Sequence, residues 1–344
     1  MEYVDEYKKI RRIDKMADKI GILIRNELNL DFNEMFKDAV AQGLEVVHHP
    51  VNHTLDAKTV IEAAKGCKYV VAGRENWGKE SLDACADTLR FIARFGVGFD
   101  TLDLEAAAAD GIAISNSPGM NSRSVAEHAV ALIFSMLRNI TAYDHEMKAG
   151  PCKARLSQSV EGTFGLLGFG NIARHVARML QPFDVKLIAY DLYPNMEAAK
   201  ELNVEMVSME EVITRSDLIS VHLPLLPDTK EIINKDTIAR MKDGVYIVNT
   251  ARGGLQNEAD LYDALKSGKV KAAALDAFVD EPDFCKNPQP LKTLDNCIVT
   301  PHAAAVSTQG VRDVMEYCAK VIADFEAGRE VRSILNPDYK NNVK

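Results

Sequence analysis

The sequence predicts an α/β protein with two doubly wound, parallel-sheet domains. Short apolar runs alternate with helical patterns along the chain, which is typical of parallel strands joined by helices. The length of 344 residues exceeds one compact core of ordinary size. The alternation is interrupted at Asn116-Ser117-Pro118-Gly119 and then resumes, which indicates a second domain.

The first domain is predicted to be discontinuous and flavodoxin-like. Its five candidate strands cover residues 19–25, 44–51, 68–74, 89–95 and 112–116. The helical patterns between them cover residues 31–42, 58–64, 79–86 and 103–109. A last helix over residues 308–327 and the tail after it are expected to pack back on this sheet. The first domain therefore comprises residues 1–119 and 308–344.

A long apolar helix is predicted to open the second domain, residues 120–307. Ser124 and Glu127 have capping-box spacing near its start, and Asn121 is an alternative cap. One stripe of this helix consists of Val125, Ala129, Leu132, Ile133, Met136 and Ile140. Because residues off this stripe are apolar too, the helix is expected to be buried between domains or between the subunits of a homodimer.

The second domain carries a dinucleotide fingerprint. Its candidate strands cover residues 163–167, 185–190, 218–222, 245–249, 272–276 and 297–300. Gly168-Phe169-Gly170-Asn171-Ile172-Ala173 follows the first strand and opens a helix. In this pattern Gly168 turns the chain, Gly170 lets backbone N–H groups approach a pyrophosphate, and Ala173 allows close helix packing. We therefore predict a Rossmann domain.

Asp191 ends the next strand, 18 residues after Ala173. A carboxylate at this position would accept hydrogen bonds from the adenosine ribose and repel the 2′-phosphate of NADP. The following Leu192, Tyr193 and Pro194 supply no compensating cation. The predicted cofactor is therefore NAD, although Asp191 taken alone could equally be a turn residue.

Composition narrows the class of protein further. The net charge of −9 disfavours nucleic acid and anionic membranes as partners. No apolar run approaches the roughly 18 residues that span a bilayer, and residues 1–19 lack the apolar core of a signal peptide. Six cysteines without a CxxC pair fit neither a zinc site nor a disulfide framework. A cytoplasmic enzyme without a bound metal is expected.

Three candidate catalytic residues follow predicted strands of the second domain. Arg252 lies in Thr250-Ala251-Arg252-Gly253-Gly254, Glu281 precedes Pro282, and His302 follows Thr300-Pro301. The carboxyl edge of a parallel sheet faces the ligand crevice. A histidine can protonate an alkoxide near neutral pH, a carboxylate can orient it, and a guanidinium can hold a substrate carboxylate in a bidentate fork. Taken alone, each of the three could instead be a loop or ion-pair residue with a purely structural role.

These motifs resemble the D-isomer-specific 2-hydroxyacid dehydrogenases over residues 89–337. The matching segments are Arg94-Phe95-Gly96-Val97-Gly98-Phe99-Asp100, Asn116-Ser117-Pro118, Ser124-Val125-Ala126-Glu127, the glycine loop, His222-Leu223-Pro224-Leu225, Asn249–Gly254, Leu275-Asp276-Ala277-Phe278, Glu281-Pro282 and Thr300-Pro301-His302. The resemblance is greatest to phosphoglycerate dehydrogenases without a C-terminal regulatory domain. It implies an NAD-dependent interconversion of a D-2-hydroxy acid and its 2-oxo acid, carried out by a homodimer.

The resemblance also implies roles for individual residues. Arg252, Glu281 and His302 would be catalytic, and the backbone of Val97 and Gly98 would face the substrate carboxylate. The implied cofactor contacts are Gly168, Gly170, Asn171, Ile172, Asp191, Leu223, Pro224, Thr250, Ala251, Asp276, Ala303 and Ala304. Arg74 and Arg94 are candidate substrate cations, and Arg252 and His302 would touch the substrate as well.

The sequence departs from the family pattern at three places. Ala173 replaces a glycine, Ala303-Ala304 replaces the usual apolar residue and glycine, and Arg74-Glu75-Asn76-Trp77 replaces an Arg-Ser-x-Thr loop. Trp77 could line a substrate pocket or pack within its loop. The substrate therefore stays open among D-3-phosphoglycerate, hydroxypyruvate or glyoxylate, and branched 2-oxo acids.

Two other functions use the same scaffold. An NAD(H)-sensing binding protein, similar to the C-terminal-binding-protein co-repressors, would keep the same cofactor and catalytic residues. Formate-type enzymes pair the histidine with glutamine, so Glu281 argues against that branch.

Overall fold

The computed structural model describes residues 18–51, 56–154, 156–279, 281 and 288–343. The chain divides into two compact units. Unit 1 comprises Met1–Asn121 and Thr308–Lys344, and unit 2 comprises Ser122–Ser307. Each unit is a parallel sheet covered by helices, so the predicted fold class of two parallel-sheet α/β domains is confirmed. Pro282 and Cys285 lie outside the described residues, as does nearly all of the charged leader.

The described residues of unit 1 form five parallel strands in the order β2-β1-β3-β4-β5. They are β1 (Lys19–Ile22), β2 (Glu45–His48), β3 (Cys67–Ala72), β4 (Phe91–Arg94) and β5 (Ala113–Ser115). The described helices are α1 (Phe32–Met35), α2 (Lys37–Val40), α3 (Ala57–Ala64), α4 (Lys79–Cys85), α5 (Leu104–Ala109) and α13 (Thr308–Glu326). Every residue of β4 is buried, as expected for a central strand covered on both faces.

The C-terminal segment completes unit 1. Helix α13 buries Val314, Met315 and Ile322 in the same apolar cluster as strand residues of the sheet. After it, the Asn336 side chain accepts the Ile114 N–H at 2.8 Å and donates to the Ile112 carbonyl at 2.9 Å. The tail therefore closes the β5 edge of the sheet.

In the part of unit 2 that the structure describes, seven parallel strands follow the order β12-β11-β10-β9-β6-β7-β8. They are β6 (Glu161–Leu167), β7 (Asp184–Tyr190), β8 (Val204–Met206), β9 (Leu218–Val221), β10 (Val245–Asn249), β11 (Val270–Leu275) and β12 (Cys297–Val299). The helices are α6 (Ser122–Leu137), α7 (Ile140–Ala149), α8 (Asn171–Leu180), α9 (Met196–Glu201), α10 (Met209–Arg215), α11 (Lys235–Arg240) and α12 (Glu258–Ser267).

Helix α6 corrects two of our expectations. It ends at Leu137 because Asn139 adopts a left-handed conformation with φ of 55°. Ile140, predicted on its apolar stripe, instead begins α7 and is 57% exposed. Ser124 lies inside the helix and shares a hydrogen bond of 2.7 Å with the Ser307 hydroxyl, so the predicted capping box is wrong.

Two further elements differ from prediction. Residues 31–42 form two short helices, α1 and α2, separated at Phe36. Strand β8 lies at the sheet edge and was not predicted, because three residues reading Val-Glu-Met give almost no alternation. Among the described helices, none is both long and apolar enough to cross a membrane.

Candidate active site

The three candidate catalytic residues lie on loops that follow neighbouring strands. Strands β10, β11 and β12 are adjacent in the sheet of unit 2. Arg252 follows β10, Glu281 follows β11, and His302 follows β12. All three loops therefore leave the same carboxyl edge of the sheet, where ligands bind in doubly wound folds.

Glu281 and His302 form a direct pair. The His302 Nδ1 lies 2.6 Å from the Glu281 Oε2, and the two side chains are 29% and 15% exposed. His302 has a φ of 55°, in the left-handed region that few non-glycine residues adopt. The carboxylate fixes which ring nitrogen faces it, so Nε2 is left as the nitrogen that can exchange a proton with a ligand.

Arg252 is connected to this pair through tight backbone packing. A Cβ on Gly253 would lie 2.0 Å from the Phe278 carbonyl carbon, so only glycine fits there. The Phe278 N–H in turn donates to Glu281 Oε1 at 2.7 Å. Arg252 itself donates from Nη1 to the Ala251 carbonyl at 2.8 Å and is partly exposed.

Asp276 lies behind the histidine loop and is 1% exposed. Its Oδ1 accepts the Ala303 N–H and its Oδ2 accepts the Ala304 N–H, each at 2.8 Å. The Thr300 hydroxyl donates to Oδ1 at 2.5 Å. The carboxylate therefore holds the Thr300 side chain before His302 and two backbone N–H groups after it, which keeps the unusual φ of His302 in place.

The glycine loop has the geometry that a pyrophosphate requires. Gly168 has a φ of 97°, and a Cβ there would lie 2.9 Å from the His222 carbonyl. A Cβ on Gly170 would meet nothing within 4 Å, so the space in front of helix α8 is open. Gly170 caps that helix without a side-chain hydrogen bond, which leaves its first N–H groups for an anion.

Asp191, which the fingerprint spacing singled out, lies beside this loop. Its Oδ2 accepts the Phe169 N–H at 2.7 Å, and its Oδ1 accepts the Tyr193 N–H at 2.9 Å. The side chain thus joins the turn after β6 to the turn after β7. Asn171 is exposed at the start of α8, and Ile172 is partly buried.

The remaining predicted cofactor residues line the ends of β9, β10 and β12. Thr250 is buried, and its hydroxyl has no hydrogen-bond partner among the described residues. An orphaned buried hydroxyl is costly unless a ligand satisfies it, so this atom fits a bound dinucleotide. The other predicted positions range from buried to exposed and are Leu223, Pro224, Ala251, Ala303 and Ala304.

In unit 1, the predicted substrate loop is braced from behind. Arg94 is 8% exposed, and it donates to the carbonyls of Gly98 at 2.8 Å, Phe95 at 2.9 Å and Ala72 at 3.3 Å. Its guanidinium therefore holds the loop that carries Val97, which is 39% exposed. Arg94 therefore braces this loop through its Nε and Nη1 groups.

The loop containing Arg74 is built around a buried carboxylate. Glu75 is 1% exposed and accepts the Gly73 N–H at 2.8 Å and the Trp77 indole N–H at 3.2 Å. Burial raises the pKa of Glu75, opposed by these hydrogen bonds and by Arg94. Trp77 is fully buried in an apolar cluster of unit 1, which favours loop packing over a pocket wall. Arg74 is partly exposed.

Several polar residues to which the sequence assigned no role support the candidate catalytic loops. The Asn249 amide donates to the Arg252 carbonyl at 2.8 Å and also hydrogen-bonds Gln256. The Gln256 amide donates to the Ala277 carbonyl at 3.2 Å. His128 of helix α6 contacts Thr300 at 3.2 Å. The position of Asn249, a polar residue at the end of a buried strand, was the one sequence signal for such a supporting role.

The fold and the glycine loop define unit 2 as a Rossmann-type dinucleotide-binding domain. Residues 130–304 match the NAD binding domain of the D-isomer specific 2-hydroxyacid dehydrogenases. The chain belongs to this family. The family expected from the sequence motifs, and NAD as its cofactor, are thereby confirmed.

Several curated proteins are similar to this chain. The hydroxypyruvate reductase of Thermotoga maritima is 42% identical over 69% of this chain and 78% of its own length. The D-3-phosphoglycerate dehydrogenase of Archaeoglobus fulgidus is 38% identical over 73% of this chain, and that of Methanocaldococcus jannaschii is 35% identical over 88%. The chain spans about half the length of these two dehydrogenases, 48% and 58% respectively.

Solved structures show the same fold. A structure described as the pyruvate reductase of Chlamydomonas reinhardtii superposes with a TM-score of 0.79, at 29% identity, over 92% of this chain and 98% of its own. The apo D-lactate dehydrogenase of Escherichia coli gives a TM-score of 0.79 at 27% identity, over 92% and 99%.

Proposed function

We propose that this protein is an NAD-dependent oxidoreductase that interconverts a D-2-hydroxy acid and its 2-oxo acid. The observation that carries the proposal is the 2.6 Å pair of Glu281 and His302, on loops adjoining the one that carries Arg252. A paired histidine beside a guanidinium suits a substrate with a carboxylate next to a carbonyl. Family membership and the names of the relatives support the same reaction.

Each catalytic side chain has a defined part in the reduction. Arg252 would bind the substrate carboxylate and polarise the neighbouring carbonyl oxygen. Bound NADH would supply the hydride. His302 would donate its Nε2 proton to the oxygen as negative charge develops there, and Glu281 would stabilise the charged imidazole. In the reverse direction, His302 accepts the hydroxyl proton.

Unit 2 would hold the cofactor. The open space at Gly170 and the N-terminus of α8 would receive the pyrophosphate, with Asn171 and Ile172 beside it. Asp191 would accept hydrogen bonds from the adenosine ribose, and Thr250 would find a partner for its orphaned hydroxyl. Asp276 accepts three hydrogen bonds, from Thr300, Ala303 and Ala304, and is only 1% exposed, so we assign it chiefly to holding the histidine loop.

Unit 1 would bind the substrate acid through the backbone of Val97 and Gly98. We further propose that the preferred substrate is unphosphorylated, such as hydroxypyruvate or glyoxylate. Arg94 directs three hydrogen bonds to carbonyls, and Glu75 is an acid buried beside Gly73. A phosphate dianion needs cations with donors to spare, and of our two candidates only Arg74 is partly exposed.

We also propose that the enzyme is a cytoplasmic homodimer. Helix α7 exposes Ile140 and Met147 by 57% and 64%, and the nearby Leu156 is fully exposed. Ile140 and Met147 are seven residues apart and so lie on one face of the helix, and exposed apolar residues grouped on one face are typical of an interface. Sedimentation equilibrium should give twice the chain mass, and charged replacements at Ile140 and Met147 should give the monomer.

A panel of 2-oxo acids, with and without phosphate, tests the proposed activity. We expect NADH oxidation with hydroxypyruvate or glyoxylate, lower kcat/KM with 3-phosphohydroxypyruvate, and the D enantiomer as product where the product is chiral. NADH binding without turnover of any acid would overturn the proposal and favour an NAD(H)-sensing protein. Preferred turnover of the phosphorylated acid would overturn only the substrate assignment.

A further inference from the structure

A second histidine in unit 2 is connected to the candidate catalytic loop. His128 lies on helix α6, and its Nε2 is 3.2 Å from the Thr300 hydroxyl and 3.7 Å from Asp276 Oδ1. The His128 side chain is 26% exposed, whereas that of Asp276 is 2% exposed. His128, Thr300 and Asp276 thus form a polar chain that reaches from a helix to the backbone after His302.

The direction of the hydrogen bonds follows from the number of protons available. Thr300 lies 2.5 Å from a carboxylate oxygen, and a carboxylate only accepts, so the single hydroxyl proton points to Asp276. Toward His128 the Thr300 oxygen can then only accept. His128 must therefore carry its proton on Nε2 and donate it to Thr300.

This donation keeps Thr300 in place because the hydroxyl has an alternative acceptor. The Leu275 carbonyl lies 3.5 Å from the same oxygen. When His128 donates, a lone pair of the Thr300 hydroxyl points toward helix α6, and the proton of that hydroxyl points toward Asp276. Without that donor, the hydroxyl can rotate toward Leu275, and Asp276 loses one of the three donors that the described structure gives it.

We propose that His128 is a positioning residue that fixes the catalytic histidine loop through Thr300 and Asp276. Asp276 holds the Ala303 and Ala304 N–H groups, and the residue before them, His302, keeps a φ of 55°. A loosened Asp276 would let this backbone relax and move the His302 ring away from its productive position. The catalytic part of this inference rests on the proposed function.

A double-mutant cycle of His128→Leu and Thr300→Val tests the link. We expect each single variant to lower kcat about tenfold, as for the loss of one hydrogen bond in the transition state. The double variant should be no slower than the slower single variant, because both remove the same connection. His128→Gln, which keeps an N–H donor, should recover most of kcat. His145→Leu, at an exposed histidine of α7, is the matched control and should leave kcat unchanged.

Amide hydrogen exchange in the cofactor-free protein supplies a readout that does not depend on turnover. The peptide containing Ala303 and Ala304 should exchange faster in His128→Leu and Thr300→Val, and at the original rate in His128→Gln and His145→Leu. Unchanged exchange in His128→Leu, or single effects on kcat that multiply in the double variant, would overturn the inference. If the wild-type protein reduces no 2-oxo acid, the proposed function fails, while the exchange rates still decide whether His128 holds this loop.

Discussion

The Glu281 carboxylate binds His302 Nδ1 at 2.6 Å through Oε2 and the Phe278 N–H at 2.7 Å through Oε1. One side chain therefore joins the loop after β11 to the loop after β12. Gly253 packs against Phe278 so closely that a Cβ would lie 2.0 Å from its carbonyl carbon. The loop of Arg252 is thereby drawn into the same assembly. The three candidate catalytic residues are thus held by one connected group of loops, as the proposed proton transfer from His302 requires.

Glu281→Gln should lower kcat for 2-oxo acid reduction about 100-fold, within the usual range for disturbing a general acid. The amide keeps a hydrogen bond to the ring but does not stabilise a charged imidazole. NADH affinity, measured by fluorescence titration, should stay within about twofold of wild type because Glu281 is not among the expected cofactor contacts. Glu258→Gln is the matched control: Glu258 accepts the neighbouring Val279 N–H at 2.9 Å, and its replacement should spare kcat. Equal losses in both variants would assign the effect to loop structure.

Arg252→Lys should raise the KM for the 2-oxo acid at least tenfold and lower kcat as well. Lysine keeps the charge but cannot form the bidentate fork with a carboxylate. Initial rates across substrate concentrations measure both effects. The exposed Arg240→Lys, which alters an ion pair with Glu210 and a hydrogen bond to the Asp236 carbonyl, should behave as wild type. An Arg252→Lys enzyme with wild-type KM would show that Arg252 does not bind the substrate.

Gly168→Ala and Gly170→Ala should separate folding from cofactor binding. At Gly168, a positive φ and a Cβ 2.9 Å from the His222 carbonyl predict a loss of stability of about 2 kcal/mol or more. At Gly170 the space is open, so the melting temperature should change little. NADH affinity should nevertheless fall at least tenfold in Gly170→Ala, because the methyl group occupies the place of the pyrophosphate. Tight NADH binding by Gly170→Ala would contradict the proposed cofactor site.

His222 should make the fold sensitive to mild acid. Burial lowers the pKa of His222 from 6.5 to about 4. Because the folded state favours the neutral ring, the contribution of His222 to the stability of the fold is fully present above pH 6.5. This contribution is lost as the pH falls from 6.5 toward 4. The full effect is about 3 kcal/mol. The melting temperature should therefore fall less steeply between pH 7 and pH 4 for His222→Gln than for wild type. The exposed His145→Gln variant should follow wild type. The same dependence of melting temperature on pH in His222→Gln and wild type would show that His222 does not cause the sensitivity to acid.

The sequence predicted the bounds of an element best where a clear apolar pattern stands between residues that favour turns. Strand β10 was predicted with its observed bounds, Val245–Asn249, because four successive β-branched or aromatic residues and Asn249 stand between clear turn signals. The long helix α6 was predicted but drawn too far, because apolar periodicity continues to Ile140 and the left-handed Asn139 gives only a weak signal. Short elements such as β8 carry too few residues to show a period.

The residues of the candidate site also fall into two groups: those that a local sequence pattern reveals, and those that only the tertiary fold brings together. Gly168 and Asp191 were predicted from local spacing. In the fold, Gly168 makes the turn after β6, and Asp191 accepts the N–H of Phe169 in that turn. The chain from His128 through Thr300 to Asp276 joins residues far apart in sequence, so only the tertiary fold reveals it. Likewise, the identity of Arg94 suggested a substrate cation, but its direction toward the Gly98 carbonyl depends on the folded loop.

The most direct test of the central proposal compares wild type with His302→Ala under single-turnover conditions. Each protein is saturated with NADH, the dissociation constant is measured by fluorescence, and hydroxypyruvate is then mixed in while NADH absorbance is followed. We expect NADH affinity within about twofold of wild type and a hydride-transfer rate at least 100-fold lower in His302→Ala. An unchanged rate in His302→Ala with NADH bound would contradict the role of the Glu281–His302 pair as the proton donor.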